Sequence, residues 1–353
     1  MPLPLPSYKQ KWSRRKVTLL LEKIELYLSA GLSLDRACDV VSQGIAKKDA
    51  LRIQSLRQDI ERGVSLSVSL TEHIGISSTT ATLIRHGEMS GQLPRALRTS
   101  RILIEKSDDI IQTCISALAY PSLIGLCTAG ITLGLLRGVM PQIIPMLNNL
   151  HVELPLLTKI VIALSEGIVL YGGYVVLMFM VFAVLGTYLY RRYRGVRSIC
   201  HRVLTSLPIS GKILNSYHVS LFLRSLGSLV DSGLSISYVY PHVARGVSLV
   251  PLQDMLSARG DDIERGTALG TILTHSRIAD YVPPLVSAGE KSGTLGPSLI
   301  RAADILDRDI ERSLKRMTSL IEPLMMVCMG CVVGAIALSI MLPIYDISKV
   351  LQH

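Results

Sequence analysis

The chain is poor in the residues and strings from which many soluble enzymes and nucleic-acid binders are built. It has one tryptophan and three phenylalanines in 353 residues and no clustered Arg/Lys helix, so it offers no stacking platform for bases and no nucleic-acid partner is expected. No Walker A string, strand-linked Gly-x-Gly-x-x-Gly, His-Glu-x-x-His or Gly-x-Ser-x-Gly occurs. These absences argue against a nucleotide-hydrolysing, dinucleotide-binding, zinc-protease or serine-hydrolase reading. The eight histidines are scattered, and His73, His86, His242 and His275 have no His or Cys partner at ligand spacing on a shared helix face. Packed or solvated histidines are the plainer reading, with no metal, no catalytic residue and no cofactor. The six cysteines form no disulfide pattern. Cys328-Met-Gly-Cys331 lacks a second ligand pair and sits in an apolar run, so it reads as small-residue packing.

Charge is also missing from three long stretches, Ile110–Leu136, Gly167–Tyr190 and Pro323–Tyr345. Each reaches the ~20 residues that a helix needs to span a bilayer, whereas core helices seldom stay uncharged beyond ~14. With 49% hydrophobic residues and a mean hydropathy of +0.41, the chain reads as an all-α membrane protein with three transmembrane helices. In MPLPLPSYKQKWSRRK the prolines precede the basic residues. That order does not fit a cleavable signal peptide and suggests a flexible lead.

Charge sets the orientation. Residues 1–117 and 191–322 each hold 17 Lys+Arg against 12 Asp+Glu, and only Arg137, Lys159 and Lys349 lie elsewhere. The whole net charge of +10 therefore belongs to two segments expected in the cytoplasm, where anionic membrane lipids would attract it. The expected organisation is a lead (1–16), a first cytoplasmic helical domain (17–117), a spanning helix (118–138), an outside loop (139–159), a second span (160–190), a second cytoplasmic domain (191–318), a third span (319–345) and an outside tail (346–353).

The two cytoplasmic segments are copies. At an offset of about 202, Ala30-Gly-Leu-Ser-Leu34 meets Ser232-Gly-Leu-Ser-Ile236, and Asp59-Ile-Glu-Arg-Gly63 meets Asp262-Ile-Glu-Arg-Gly266. Gly87-Glu-Met-Ser-Gly91 meets Gly289-Glu-Lys-Ser-Gly293, and Tyr120-Pro121 meets Glu322-Pro323. Four ordered landmarks mark a duplication, and the drift of one residue at the second landmark predicts a single-residue loop insertion. Apolar spacing of three and four predicts compact bundles of short helices. Gly31 and Gly233 should end helices, with Ser33 and Ser235 as N-caps of the next.

The phrase Gly-Glu-x-Ser-Gly-x-Leu reads as a helix–turn–helix corner. Its glycines allow close approach or positive φ, and Glu88 and Glu290 are placed to accept from amides at the following helix N-terminus. A second role on a partner-facing surface is compatible with that one. A charged helix then leads to the membrane in each half, with Pro121 and Pro323 placed to kink it there. Gly130xxxGly134xxxGly138 and Gly330xxxGly334 give small-residue faces for helix packing, within one chain or between copies.

In these residues nearly the whole chain resembles the inner-membrane platform proteins of type II secretion and type IV pilus machines, the secretion F family, including its type IVb pilus branch. The carrying features are the twin Gly-Glu-x-Ser-Gly-x-Leu phrases, the Ala/Ser-Gly-Leu-Ser-Leu/Ile turns, the paired prolines and the order domain, helix, helix, domain, helix. The resemblance implies six-helix cytoplasmic bundles and a multi-pass, non-enzymatic scaffold in the bacterial inner membrane, with its N-terminus cytoplasmic and its C-terminus periplasmic. It further implies coupling of a cytoplasmic hexameric assembly ATPase to assembly of pilins or pseudopilins, contact with other machine components, and a homo-oligomer. Gly87, Glu88, Gly91, Gly289, Glu290 and Gly293 are carried over as fold and interface positions. The rival from another class is an oligomeric small membrane transporter or channel component. Against it, the spans carry no ionisable residue near a midplane.

Overall fold

The computed structural model describes residues 12–139, 156–207, 210–274 and 278–350, and no strand occurs among them. Parts of the expected lead (1–11), outside loop (140–155) and tail (351–353) lie outside the described residues. The first repeat contains α1 (Arg14–Ser29), α2 (Leu34–Gln43), α3 (Lys47–Glu61), α4 (Leu66–His73), α5 (Ser78–Met89) and the start of α6 (Leu93–Gly134). A π-helical turn, Leu135–Val139, follows α6. Next come α7 (Leu156–Arg192) and α8 (Arg194–Ser206). The second repeat holds α9 (Ser210–Asp231), α10 (Ile236–Gly246), α11 (Val250–Ser257), α12 (Gly260–Glu264), α13 (Leu269–Thr274), α14 (Val282–Lys291) and α15 (Leu295–Val350).

The duplication is visible helix by helix. Gly31 and Gly233, Gly63 and Gly266, and Gly91 and Gly293 all adopt positive φ at matching places. Ser33 and Ser235 occupy the expected N-cap positions, but neither hydroxyl caps the backbone. Ser33 instead bonds Asp35 and lowers its carboxyl pKa. The extra residue of the second copy lies in the loop before α11, because Gly246 stands four positions before Val250 whereas Gly44 stands three before Lys47. The copies also diverge where α3 is one helix and its counterpart is two. Gly260 interrupts the second copy at the position of Arg57, which in α3 pairs with Asp39 at 2.7 Å and Glu61 at 2.9 Å. Glycine is less favourable than ordinary residues in a helix interior by up to ~1 kcal/mol.

The chain separates into two compact units, one of residues 1–113 with 201–311, the other of residues 114–200 with 312–353. The first unit holds both repeats and two apolar cores. Val17, Leu20, Leu21 and Ile24 line one side of α1 at helical spacing and pack with Ile53, Leu56, Leu66, Leu70 and Ile84. The second core gathers Phe222, Leu226, Val243, Leu256, Val286 and Leu299, and it also takes in Leu83 and Leu103 from the first repeat. Each such fully buried side chain is worth ~1.5–3 kcal/mol, and those two leucines join the repeats. Tyr240 lies edge-on to Phe222, with ring centroids 5.8 Å apart, and its buried hydroxyl donates to the Leu256 carbonyl at 3.0 Å.

In the second unit α6 and α15 meet. Thr318 Oγ1 donates to the Ala117 carbonyl at 3.2 Å, and Tyr120 Oη lies 3.5 Å from Glu322 Oε1. These last two residues occupy equivalent places in the repeats, each just before its paired proline. Both helices run on through Pro121 and Pro323. Among the described residues two helices are long and apolar enough to cross a membrane, one beginning at Leu93 and the other at Leu295. Almost none of their most apolar stretches is buried, so they are not core helices. A shorter apolar stretch, Leu177–Tyr190, is described in α7.

Candidate functional site

The signature corner explains itself residue by residue. At the end of α5 the Gln92 N–H donates to the Gly87 carbonyl at 2.8 Å, and the Gly91 N–H to the Glu88 carbonyl at 3.4 Å. At the end of α14 the Thr294 N–H reaches the Gly289 carbonyl at 2.8 Å and the Gly293 N–H the Glu290 carbonyl at 3.4 Å. This pair of bonds is a Schellman stop, and it requires the left-handed backbone that Gly91 and Gly293 supply at φ 70° and 71°. Gly87 and Gly289 serve a different need. A methyl group at 87 would overlap Cβ of Ala96, and one at 289 would overlap the side chain of Ser298. The missing side chains let α5 and α14 lie directly on the first turns of α6 and α15.

The glutamates do not cap the helix that follows them, as the sequence suggested. The turn aims each carboxylate backwards across the bundle at the helix after the Asp-Ile-Glu-Arg-Gly landmark. Glu88 accepts the Leu66 N–H at 2.5 Å on Oε1, and on Oε2 the Ser65 hydroxyl at 2.5 Å and the Ser67 N–H at 3.4 Å. Glu290 accepts the Leu269 N–H at 3.1 Å. Both carboxylates thus satisfy free amides at a helix N-terminus, where the helix dipole favours negative charge. The copies differ in one respect. Ala268 stands where Ser65 stands, and Glu290 Oε2 is buried without a hydrogen-bond partner. The sequence displayed both landmarks in each copy but not that they touch, because the contact crosses the bundle.

The corner also links the repeats. His86 Nε2 donates to the Ser232 carbonyl at 3.1 Å, so the residue just before the third landmark of the first repeat meets the first landmark of the second. Beside it opens a groove of about 570 Å³ whose lining includes Val68, Arg85 and Met89 from the first repeat and Leu234, Tyr238 and His242 from the second. Met89, the variable residue of the phrase, is 81% exposed.

A second space between the repeats, about 480 Å³, is lined by Trp12, Arg14, Ser107, His218 and Phe222 among others. Burial, assisted by His201, pushes the His218 pKa down to about 4, which leaves this imidazole neutral near pH 7. The remaining polar sites are structural. His73 Nε2 lies 2.7 Å from Asp59 Oδ2, and burial pushes the Cys38 thiol up to about 12, far from reactivity. No cluster of three or more His, Cys, Asp or Glu suited to a metal occurs among the described residues.

The proposed packing glycines have open space beside them. A methyl group at Gly130, Gly134, Gly138, Gly330 or Gly334 would meet nothing within 4 Å among the described residues, whereas one at Gly125 would touch Met325 of α15 at 3.5 Å. Gly138 falls in the π-helical turn.

The family described as "Type II secretion system (T2SS), protein F" matches the chain twice, over residues 20–141 and 222–343. The type IV pilus assembly protein PilC of Thermus thermophilus is 28% identical over 97% of this chain and 85% of its own length. The type 4 fimbrial assembly protein PilC of Pseudomonas putida is 30% identical over 92% and 82%, and the type II secretion system protein F of Xanthomonas campestris is 26% identical over 97% and 85%. Pilus and secretion relatives therefore match at similar levels. The two family matches coincide with the two repeats and their long helices, and the chain belongs to the type II secretion system protein F family, which includes the type IV pilus assembly proteins.

Proposed function

We propose that the protein is a membrane-embedded platform on which a cytoplasmic assembly ATPase acts to drive incorporation of pilins or pseudopilins into a fibre, without catalysis of its own. In this reading α6, α7 and α15 cross the bacterial inner membrane, with both repeats cytoplasmic and the C-terminus periplasmic. Eight large apolar side chains between Leu177 and Leu185 of α7 are all exposed, an arrangement that favours lipid over water. Spans within 118–138, 160–190 and 319–345 separate domains 17–117 and 191–318. The open faces at Gly130, Gly134, Gly330 and Gly334 would serve packing between copies.

The observation that carries the reading is the groove beside Met89, built jointly by the signature corner of one repeat and α10 of the other. A partner seated there would touch both repeats and sense their relative placement. Gly87, Glu88 and Gly91 hold the corner, and Met89 faces the partner. The test is photo-crosslinking in cells from reporters at Met89 and at Lys291, with captured proteins identified by mass spectrometry. Capture of the assembly ATPase from Met89 is expected. Absence of the ATPase and of pilus or secretion components from both positions would refute the platform role and favour the transporter alternative.

A further inference from the structure

Helix α8 (Arg194–Ser206) is packed with the wrong side outwards for a helix in water. Ile199 and Val203 stand four residues apart on one face, with Leu207 four further on and one residue past the helix end; they are 65%, 60% and 49% exposed, with Leu204 beside them at 44%. The opposite side is the one that packs. His201 is buried, and its Nδ1 accepts the N–H of Val250 at 3.2 Å, capping α11. Gly211 at the start of α9 lies so close to α8 that a side chain there would overlap the Thr205 carbonyl, and its N–H donates to the Leu207 carbonyl at 3.0 Å. These contacts with the second repeat fix the rotation of α8 about its axis, so the apolar stripe cannot turn inward.

Two features identify what covers the stripe. First, α8 is separated from α7 by Tyr193 alone, so it begins where that helix would leave the bilayer. Second, from Gly167 to Val230 there is no Asp or Glu, while six Lys or Arg occur from Arg191 to Lys212; Arg192, Arg202 and Lys212 are exposed. An apolar stripe joined to a span and flanked by cations without acids has the chemistry of a helix lying in an anionic lipid interface. A protein partner would have no comparable reason to meet this face at the membrane surface.

We propose that α8 is an interfacial anchor, seated with Ile199, Val203, Leu204 and Leu207 in the headgroup–acyl boundary of the cytoplasmic leaflet, and that it fixes the second repeat against anionic lipid. The inference rests on the reading of α7 as a spanning helix, and the test separates the two. Trp12 is the only tryptophan, so a Trp12→Phe full-length chain accepts a single reporter at Val203, at Val181 in α7, or at Tyr238 as a water-facing control. The proteins are reconstituted in phosphatidylcholine vesicles with or without phosphatidylglycerol, using acyl chains brominated near the headgroups or near the bilayer centre.

The Val203→Trp reporter should be quenched by shallow bromine more than by deep, as for a helix ~5–10 Å into the interface, and more strongly with phosphatidylglycerol. Val181→Trp should be quenched best by deep bromine, and Tyr238→Trp by neither. Adding Ile199→Glu and Leu207→Glu should abolish quenching at Val203 while leaving the unfolding midpoint unchanged, since both positions are exposed. If Val181 is quenched and Val203 is not, the anchor is refuted while the span stands, whether the Val203 signal reports water or a covering protein. Quenching at Val203 that is indifferent to phosphatidylglycerol overturns the anionic preference. Loss of quenching at both positions overturns the spanning reading itself.

Discussion

Exchanging one oxygen of Glu88 or of Glu290 for an amide tests whether the signature glutamates are cross-bundle caps. Glu88 receives three donors on two oxygens, so in Glu88→Gln the new NH₂ must face at least one of them. One hydrogen bond to a charged group is lost, worth ~1.5–3 kcal/mol, together with ~0.3–1 kcal/mol of charge–dipole attraction. Glu290→Gln is different, because its carbonyl can keep the Leu269 N–H while the NH₂ takes the place of Oε2, which has no partner to lose. Only the charge–dipole part, ~0.3–1 kcal/mol, is then at stake.

The converse change is sharper. Ala268→Ser supplies in the second repeat the hydroxyl that Ser65 supplies in the first, and should stabilise by ~1.5–3 kcal/mol through a bond to the charged Oε2. That gain should vanish in an Ala268→Ser, Glu290→Ala double variant. Thermal unfolding of the full chain in detergent reads all of these, at ~2–4 °C per kcal/mol for a unit of this size. For Glu88→Gln, unfolding of the first repeat is reported separately by labelling Cys38, which is fully buried, in a background lacking the other cysteines. Equal losses for the two glutamine variants, or a gain from Ala268→Ser that persists without Glu290, would refute the capping account.

Further outcomes follow from other contacts. Gly87→Ala and Gly289→Ala should each destabilise by ~1–3 kcal/mol through overpacking, more than Gly91→Ala or Gly293→Ala, where the cost is a left-handed backbone of ~1–2 kcal/mol; ranking the unfolding midpoints decides. His218, at about 4 against 6.5 for the free side chain, takes up a proton more readily when unfolded. Its contribution to stability is therefore complete above pH ~6.5, falls as pH drops towards ~4 and reaches a loss of ~3 kcal/mol below that. His218→Gln should flatten that slope in melting curves taken across the window.

What the sequence displayed and what it hid divide along contact distance. Landmarks, helix ends and the loop insertion are local, and turn chemistry at Gly31, Gly63 and Gly91 or the length of the loop before Val250 registers in neighbouring residues. The target of Glu88 lies 22 residues earlier at Leu66, and nothing in a periodicity of 3.6 says which helix N-terminus a side chain will reach. The split of α11 from α12 was legible in principle, since Gly260 falls where the first copy has Arg57. Two of the three expected spans appear as long apolar helices among the described residues, because a charge-free run needs no partner to be recognised. The outward stripe of α8 was invisible, since its spacing matches that of a core-facing helix and only the packing of His201 and Gly211 shows which side is free.

The copies are also held by ion pairs of opposite polarity, which bears on how a tethered duplicate avoids mispairing. In the first repeat α1 brings Glu25 to Arg101 of α6, 3.6 Å away, while Glu105 pairs with the same arginine at 2.8 Å. Glu105, then Glu25 and Glu22, raise the Arg101 pKa. In the second repeat the cation sits on α9, where buried Arg224 bonds Asp304 at 2.8 Å and Asp307 at 2.5 Å of α15, and Ser220 donates to Asp307. At the repeat offset, Glu22 corresponds to Arg224. An exchange of equivalent helices would set α1 against α15, bringing Glu22 and Glu25 to Asp304 and Asp307 with no arginine between them. Four like-charged carboxylates brought together in this way repel one another, so the exchange is opposed even though the apolar spacing of the two helices is alike. Arg224→Glu should accordingly destabilise the second repeat by ~3–5 kcal/mol, and Asp304→Arg added to it should restore at least ~1 kcal/mol in a double-mutant cycle. A coupling of zero would mean that the two aspartates are held by something other than the charge on α9, and that polarity does not keep the repeats apart.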